Sequence, residues 1–172
     1  MALVSDHQDT PNPSGGNPIP ADRVWEMIKA IDVAMLITKT ADGLEGRPMT
    51  AIAEPDKGLI YILTEAASSA ARDIRADGEV FLSFQGRGDF VALRGQAHVN
   101  FEQGLVKDLW SPGAQLFWPD GPVVHNVVTL VIDPEHADVW DGPGLFRGIA
   151  NIVKGAVKNQ SPALGVRGEV DL

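Results

Sequence analysis

The sequence has no cysteine in 172 residues, which excludes a disulfide framework, thiolate metal sites and thiol nucleophiles. Positive charge is also scarce. Fourteen Lys and Arg face 23 Asp and Glu, a formal net charge of -9, and a surface of that sign repels nucleic-acid phosphates. A local basic pocket for one small anion remains compatible with it, because net charge describes the whole surface and not a cleft. No apolar run approaches the ~18 residues of a spanning helix, and the opening MALVSDHQDT has acidic residues where a secretion signal carries positive ones. The expectation is a soluble, cytoplasmic protein that engages neither nucleic acid nor membrane. Its four histidines, His7, His98, His125 and His136, are scattered; neither a metal set nor a Ser-His-Asp arrangement emerges, and no catalytic residue or metal ligand is nominated.

A chain of this length suits one domain, large enough to bury roughly 70% of the surface its unfolded form exposes. Residues 1 to 20 hold four of the 12 prolines and lack apolar periodicity, which reads as a flexible arm. Folding is expected over residues 21 to 158, with a tail over 159 to 172 in which no pattern is evident. A first helix over 20 to 31 follows from Val24, Met27, Ile28 and Ile31 at helical spacing, with Pro20 and Asp22 suited to its start.

Strands then dominate. Val33 to Thr38 is a short continuous apolar run, read as a strand covered on both faces. Asp42-Gly43 and Lys57-Gly58 mark turns into strands at about 47 to 54 and 59 to 63. An alanine-rich helix follows, with Ser68 able to cap it and Gly78 able to stop it. Val80 to Phe84 is the next strand. From Phe90 to Phe101 apolar and mostly polar residues alternate, a half-buried strand bent at Gly95. Leu105 to Trp110 reads as a helix, 117 to 122 as a loop, 127 to 132 and 137 to 140 as two last strands, and 146 to 157 as a helix packed on the barrel or across a dimer. Seven or so short strands with few helices predict a mainly β protein, a barrel rather than an α/β fold.

The order of these features carries a resemblance. A Trp25-bearing helix, AMLIT at 34 to 38, DG at 42 and 43, RPM at 47 to 49, an aliphatic strand ending in Thr64, a serine-led helix, FLSF at 81 to 84, RGQAHV at 94 to 99, LW at 109 and 110, FWPDGP at 117 to 122 and DVWD at 138 to 141 together resemble the general stress protein family of FMN-binding split barrels, relatives of pyridoxamine 5'-phosphate oxidase. The likeness covers about residues 23 to 141, and the closing GVRGEVDL is similar to tails in that family. It implies a six-stranded Greek-key split barrel that pairs as a homodimer, with FMN in clefts at the interface.

It also implies flavin contacts at Arg47, Pro48, Met49 and Thr50, at Leu63 and Thr64 on the following strand, and at Ser68 and Ser69 where the helix begins. The residue chemistry agrees: a guanidinium is a forked donor for phosphate, and free N–H groups at a helix start favour anions. Trp118, in a Pro/Gly-rich loop, is a candidate to lie over a flat ligand or against a partner chain. The competing readings are plain ones: a solvated Arg47, a core Met49, capping serines, and Trp25, Trp110 and Trp140 as packing residues.

Two departures stand out. The family places a lysine two residues after the serine, where this chain has Ala70, and VVHN at 123 to 126 replaces an acidic pair. The resemblance therefore implies an FMN-dependent oxidoreductase acting on a small substrate. The alternatives are a flavin-binding or flavin-buffering protein without turnover, or a split-barrel module with weak FMN binding that serves as a ligand-binding or interaction unit.

Overall fold

A computed structural model describes residues 19–141 and 166–171. Helix α1 (Ala21–Ile31) buries Val24, Trp25, Met27 and Ile28 and ends at Asp32, whose left-handed backbone lets its N–H donate to the Ile28 carbonyl. Trp25 is thus a packing residue of this helix. The chain then enters β1 (Val33–Thr40), turns at Gly43 with φ 130°, and returns as β2 (Gly43–Thr50). A positive φ of that size is easily held only by glycine.

After Ala51 the same run continues as β3 (Ile52–Glu54), a one-turn 3-10 helix leads through Gly58 into β4 (Leu59–Glu65), and α2 (Ser69–Ala76) follows. The Ser68 hydroxyl caps α2 by accepting from the Ala71 N–H at 3.1 Å. Then come β5 (Glu79–Gln85), β6 (Phe90–Asn100), α3 (Gln103–Asp108), α4 (Pro112–Phe117), β7 (Val127–Asp141) and β8 (Val166–Asp171).

All strand pairs are antiparallel, in the order β2-β1-β5-β6-β7-β4-β3, with β8 also on β7. The two ends of that order are one polypeptide run broken at Ala51, so the sheet curls back on itself into a split barrel. The Ala51 N–H leaves the sheet and donates to the Asp32 carbonyl at 2.7 Å. Among the described residues the sheet has eight strand segments; counting β2 and β3 as one strand gives seven, and the additional strand beyond the expected six is β8.

The two final strands expected from sequence are one. β7 runs for 15 residues, with β6 along one edge; on its other edge residues 127–132 hold β4 and residues 136–141 hold β8. The register against β6 shifts between Arg94 and Gly95, so that Arg94 faces His136 and Gly95 faces Pro134, leaving Glu135 as the extra residue of a bulge. Pro134 sits where the ladder is already interrupted, which is why a proline is tolerated in a central strand.

The core lies inside the curl. Leu36, Ile60, Ile62, Leu82, Phe84, Val91, Leu93, Leu130, Ile132 and Val139 are completely buried, and α1 and α2 add their apolar faces to the same cluster. Ala70 belongs to it, 1% exposed. The outer face of β1 differs from expectation: alternate residues point outward and Val33 and Met35 stay 46% and 43% exposed, so in the single chain this strand is covered on one face only. The stretch read as a loop from Phe117 begins one residue later, after an unexpected helix α4 that Ser111 caps and whose first position Pro112 fits. The expected helix over 146 to 157 and the arm over 1 to 18 lie outside the described residues. No helix among the described residues is long and apolar enough to cross a membrane.

Candidate functional site

Where β2 parts from β4 the barrel fails to close. The β3–β4 ladder pairs Glu54 with Leu59 and Ile52 with Tyr61; continued by two, it would pair Thr50 with Leu63. Instead β2 swings onto β1, where Thr50 faces Val33 and Pro48 faces Met35. Between the diverging strands lies a cavity of ≈ 330 Å³, lined by Pro48, Met49, Thr50 and Ile52 on one side and Leu63 and Thr64 on another, with Ser111, Gly113, Ala114, Phe117 and Trp118 of the α4 region as its third wall. The volume falls within the range of small-molecule sites, about 300–1,000 Å³. Among the described residues β2 is a sheet edge here, so backbone N–H and C=O groups on its side away from β1 have no ladder partner among them.

α4 presents Gly113 and Ala114 to the cavity, and Trp118 closes the wall. Its ring is tilted against Trp110 at 5.9 Å and against Phe117 at 6.1 Å, and its indole N–H donates to the Glu65 carboxylate at 3.3 Å. Trp110 in turn donates to Gln115 at 3.0 Å. None of the cavity's lining residues is an acid, a base or a cation.

Of the residues singled out in the sequence, six come together on this cavity: Pro48, Met49, Thr50, Leu63, Thr64 and Trp118. Met49 meets both of its readings, since it lines the cavity and packs on the core. Ser68 and Ser69 follow one turn after Thr64, the Ser68 N–H bonded to the Glu65 carbonyl at 2.9 Å, and are not part of the lining. Arg47 is not part of it either. Its guanidinium donates to Thr38 and Asp73, each at 3.0 Å, and pairs with Glu45 at 3.0 Å, while the Thr38 hydroxyl donates to Asp73 at 2.8 Å. Arg47 and Asp73 are 16% and 15% exposed and Thr38 is fully buried; together they tie β1, β2 and α2 into one unit.

Five lining residues escaped the sequence reading: Ile52, Ser111, Gly113, Ala114 and Phe117. A signal for four of them was present, since Ser111-Pro112 is a cap followed by a first-turn proline and predicts a helix at 112. Ile52 stands two residues beyond Thr50 and four beyond Pro48, the same face of a strand by simple alternation, and that alternation was the signal for it.

A curled antiparallel sheet split along one seam, with a neutral slot in the split, is the architecture of the split-barrel fold. The sequence matches the family model described as pyridoxamine 5'-phosphate oxidase like over residues 20–163, and the chain belongs to that family. Similar solved structures include a general stress protein 26 candidate from Jannaschia sp. CCS1, 20% identical with TM-score 0.71, covering 89% of this chain and 100% of that one. The general stress FMN/FAD binding protein from the phytopathogen Xanthomonas citri is 26% identical with TM-score 0.61, covering 69% of this chain and 86% of that one. The General Stress Protein 26 from Bacillus anthracis str. Sterne is 21% identical with TM-score 0.56, covering 68% and 93%. No curated protein matches the sequence.

Proposed function

We propose that this chain binds a flavin, FMN, in the seam between β2 and β4 and acts as an oxidoreductase on a small substrate. The supporting observation is the cavity's chemistry. Its walls are mainly apolar, with Phe117 and Trp118 as aromatic residues and with an edge strand's backbone groups and the hydroxyls of Thr50, Thr64 and Ser111 as the polar elements, and no acid or base among them. Such a site suits a planar ring that carries its own reactivity: a bound flavin supplies hydride or electron transfer, while the protein supplies binding, orientation and exclusion of water. In this reading Pro48, Met49, Thr50, Leu63 and Thr64 hold the ring and its polar edge, and Trp118 covers it.

The phosphate lies toward Arg47 and the start of α2 at Ser68 and Ser69. Arg47 has to exchange its bond to Glu45 for one to phosphate. Glu45 is 54% exposed, and an exposed ion pair of that kind contributes only about 0 to 1 kcal/mol, so the exchange is favourable, while Asp73 and Thr38 keep the guanidinium aimed. Ala70 cannot supply a second cation, and its burial means that a lysine there would enter the core.

The sheet's outer face supports a homodimer. Val33, Met35, Leu44 and Phe81 are 46%, 43%, 75% and 40% exposed, and this apolar face runs through Met35 and Val33 into Pro48 and Thr50 at the cavity's edge. A second copy seated there closes the mouth of the site, and sedimentation should show a species of two chains; a monomer at micromolar concentration removes the dimer. Turnover is tested by loading the protein with FMN and adding NADH or NADPH without oxygen. The proposal expects the flavin absorbance to bleach. Bound FMN that neither nicotinamide reduces would instead assign a flavin-buffering role without turnover.

A further inference from the structure

α4 forms the third wall of the cavity, yet apolar packing holds it weakly. It is six residues long and Ala114 is its buried residue, while its larger apolar side chains, Leu116 and Phe117, are 85% and 73% exposed. A helix this short is marginal unless other contacts fix it. Ser111 closes its first turn by accepting from the Ala114 N–H at 3.2 Å. Its far end, where the chain passes into Trp118, is closed by a side chain that the proposed binding does not use, Gln115.

The Gln115 amide bonds in two directions at once. Its Oε1 accepts the indole N–H of Trp110 at 3.0 Å, and its Nε2 donates to the Pro119 carbonyl at 2.6 Å and, more weakly, to the Trp118 carbonyl at 3.5 Å. Carbonyls at the end of a helix lack intrahelical donors, so the amide supplies one where the chain leaves α4. The other end of the tie is anchored in the barrel. Trp110 follows α3, whose Val106 is completely buried and whose Gln103 donates to the Val127 carbonyl of β7 at 3.0 Å. A line of support therefore runs from β7 through α3 and Trp110 to Gln115, and from Gln115 to the backbone that carries the Trp118 ring.

We infer that Gln115 is a positioning residue for the cavity: it locks the backbone at 118 and 119 to Trp110 and so sets the angle at which the Trp118 ring stands in the wall. The lock needs an acceptor and a donor on one side chain of this reach. Glutamate keeps the acceptor and loses the donor, and methionine keeps the length with only a weak acceptor. The effect of Gln115 on ligand binding rests on the flavin reading; its effect on the Trp118 ring does not.

The ring is followed by the indole N–H signal of Trp118 in an NMR spectrum of tryptophan-labelled protein, identified by its loss in Trp118→Phe. It should shift in Gln115→Met, while the signal of Trp25, buried on α1, stays in place; an unmoved Trp118 signal overturns the lock. Riboflavin is the binding probe. Gln115 is exposed, so water competes for its bonds, and Gln115→Met should weaken riboflavin about three- to tenfold, the scale of one neutral hydrogen bond. Gln115→Glu should weaken it as well, and wild-type affinity in that variant would overturn the part given to the Pro119 bond. A side chain that merely stabilises the fold would lower the urea midpoint and leave the affinity of the folded protein unchanged, which overturns the positioning role. Introduced into Trp118→Ala, Gln115→Met should cause no further loss, because Gln115 acts through that ring; a loss as large as in the wild type contradicts this. Should the wild type bind no riboflavin while the Trp118 signal still shifts in Gln115→Met, the lock is supported and the flavin reading is removed instead.

Discussion

Gly95→Ala should be among the most damaging single substitutions in this protein, lowering stability by about 3 kcal/mol or more, at or beyond the upper end of ordinary overpacking. A Cβ at position 95 would stand 2.2 Å from the Asp133 carbonyl oxygen, 2.9 Å from the Pro134 Cα and 3.0 Å from the Asp133 carbonyl carbon. All three are backbone atoms of β7, so no side-chain rotation relieves the clash. β7 would have to move away just where the bulge at Glu135 already interrupts its ladder with β6, and β4 and β8 are both held by that same strand. Because β4 forms one wall of the cavity, the loss should appear both as a lower denaturant midpoint and as a weaker site. The open positions offer a control: a Cβ at Gly104 meets nothing within 4 Å, and Gly104→Ala, in α3, should be neutral or slightly stabilising. Equal effects of the two substitutions in urea unfolding would contradict the bulge geometry.

The second large effect is expected at Arg47. Its removal strands the Asp73 carboxylate at 15% exposure against a buried Thr38 hydroxyl. Arg47→Ala should cost about 2 to 3 kcal/mol, somewhat below the 3 to 5 kcal/mol of a wholly buried pair, because both partners retain some water. Removing Asp73 as well should recover part of this, since the uncompensated charge goes with it; a double variant as unstable as the sum of the two singles would show that the pair is not coupled. In the same variant, under conditions where it stays folded, FMN should lose about ten- to hundredfold in affinity, the equivalent of one charge-assisted bond. Riboflavin should lose much less. Equal losses for the two ligands would leave Arg47 as a clamp between β1, β2 and α2 with no part in holding phosphate.

How far the sequence reveals this molecule depends on whether the deciding interactions are local. β6 is legible because one of its faces is buried and the other is wet, so Val91, Leu93, Gly95 and Ala97 alternate with Ala92, Arg94, Gln96 and His98. α1 and the Ser68-capped α2 are legible for the same reason, through helical spacing and a cap. β7 is not: Pro134 and Glu135 look like a break between two strands, and only the facing Gly95, nearly 40 residues earlier in the chain, shows that a bulge absorbs them. β8 alternates Val166, Gly168 and Val170 with Arg167, Glu169 and Asp171, but six residues are too short a run to stand out, and the strand it pairs with, β7, lies well before it in sequence.

The site divides in the same way. The residues on β2 and β4 could be chosen through the family resemblance, but α4 reaches the cavity by tertiary packing, and of Arg47's carboxylate partners only Glu45, two residues away on the same strand, follows from spacing, while Asp73 is brought to it by the fold. Position 70 illustrates the difference between noticing and understanding. The resemblance implies a lysine where the sequence shows an alanine; the structure shows that this alanine is part of the core, so position 70 is a packing position.

The central claim, a flavin site in the seam between β2 and β4, is tested most directly by equilibrium titration of the purified protein with FMN, following flavin fluorescence. Saturable binding of one flavin per chain, weakened when Trp118 is replaced by alanine, is the predicted result. A titration that shows no saturation, or one whose affinity is the same in the wild type and Trp118→Ala, would contradict it.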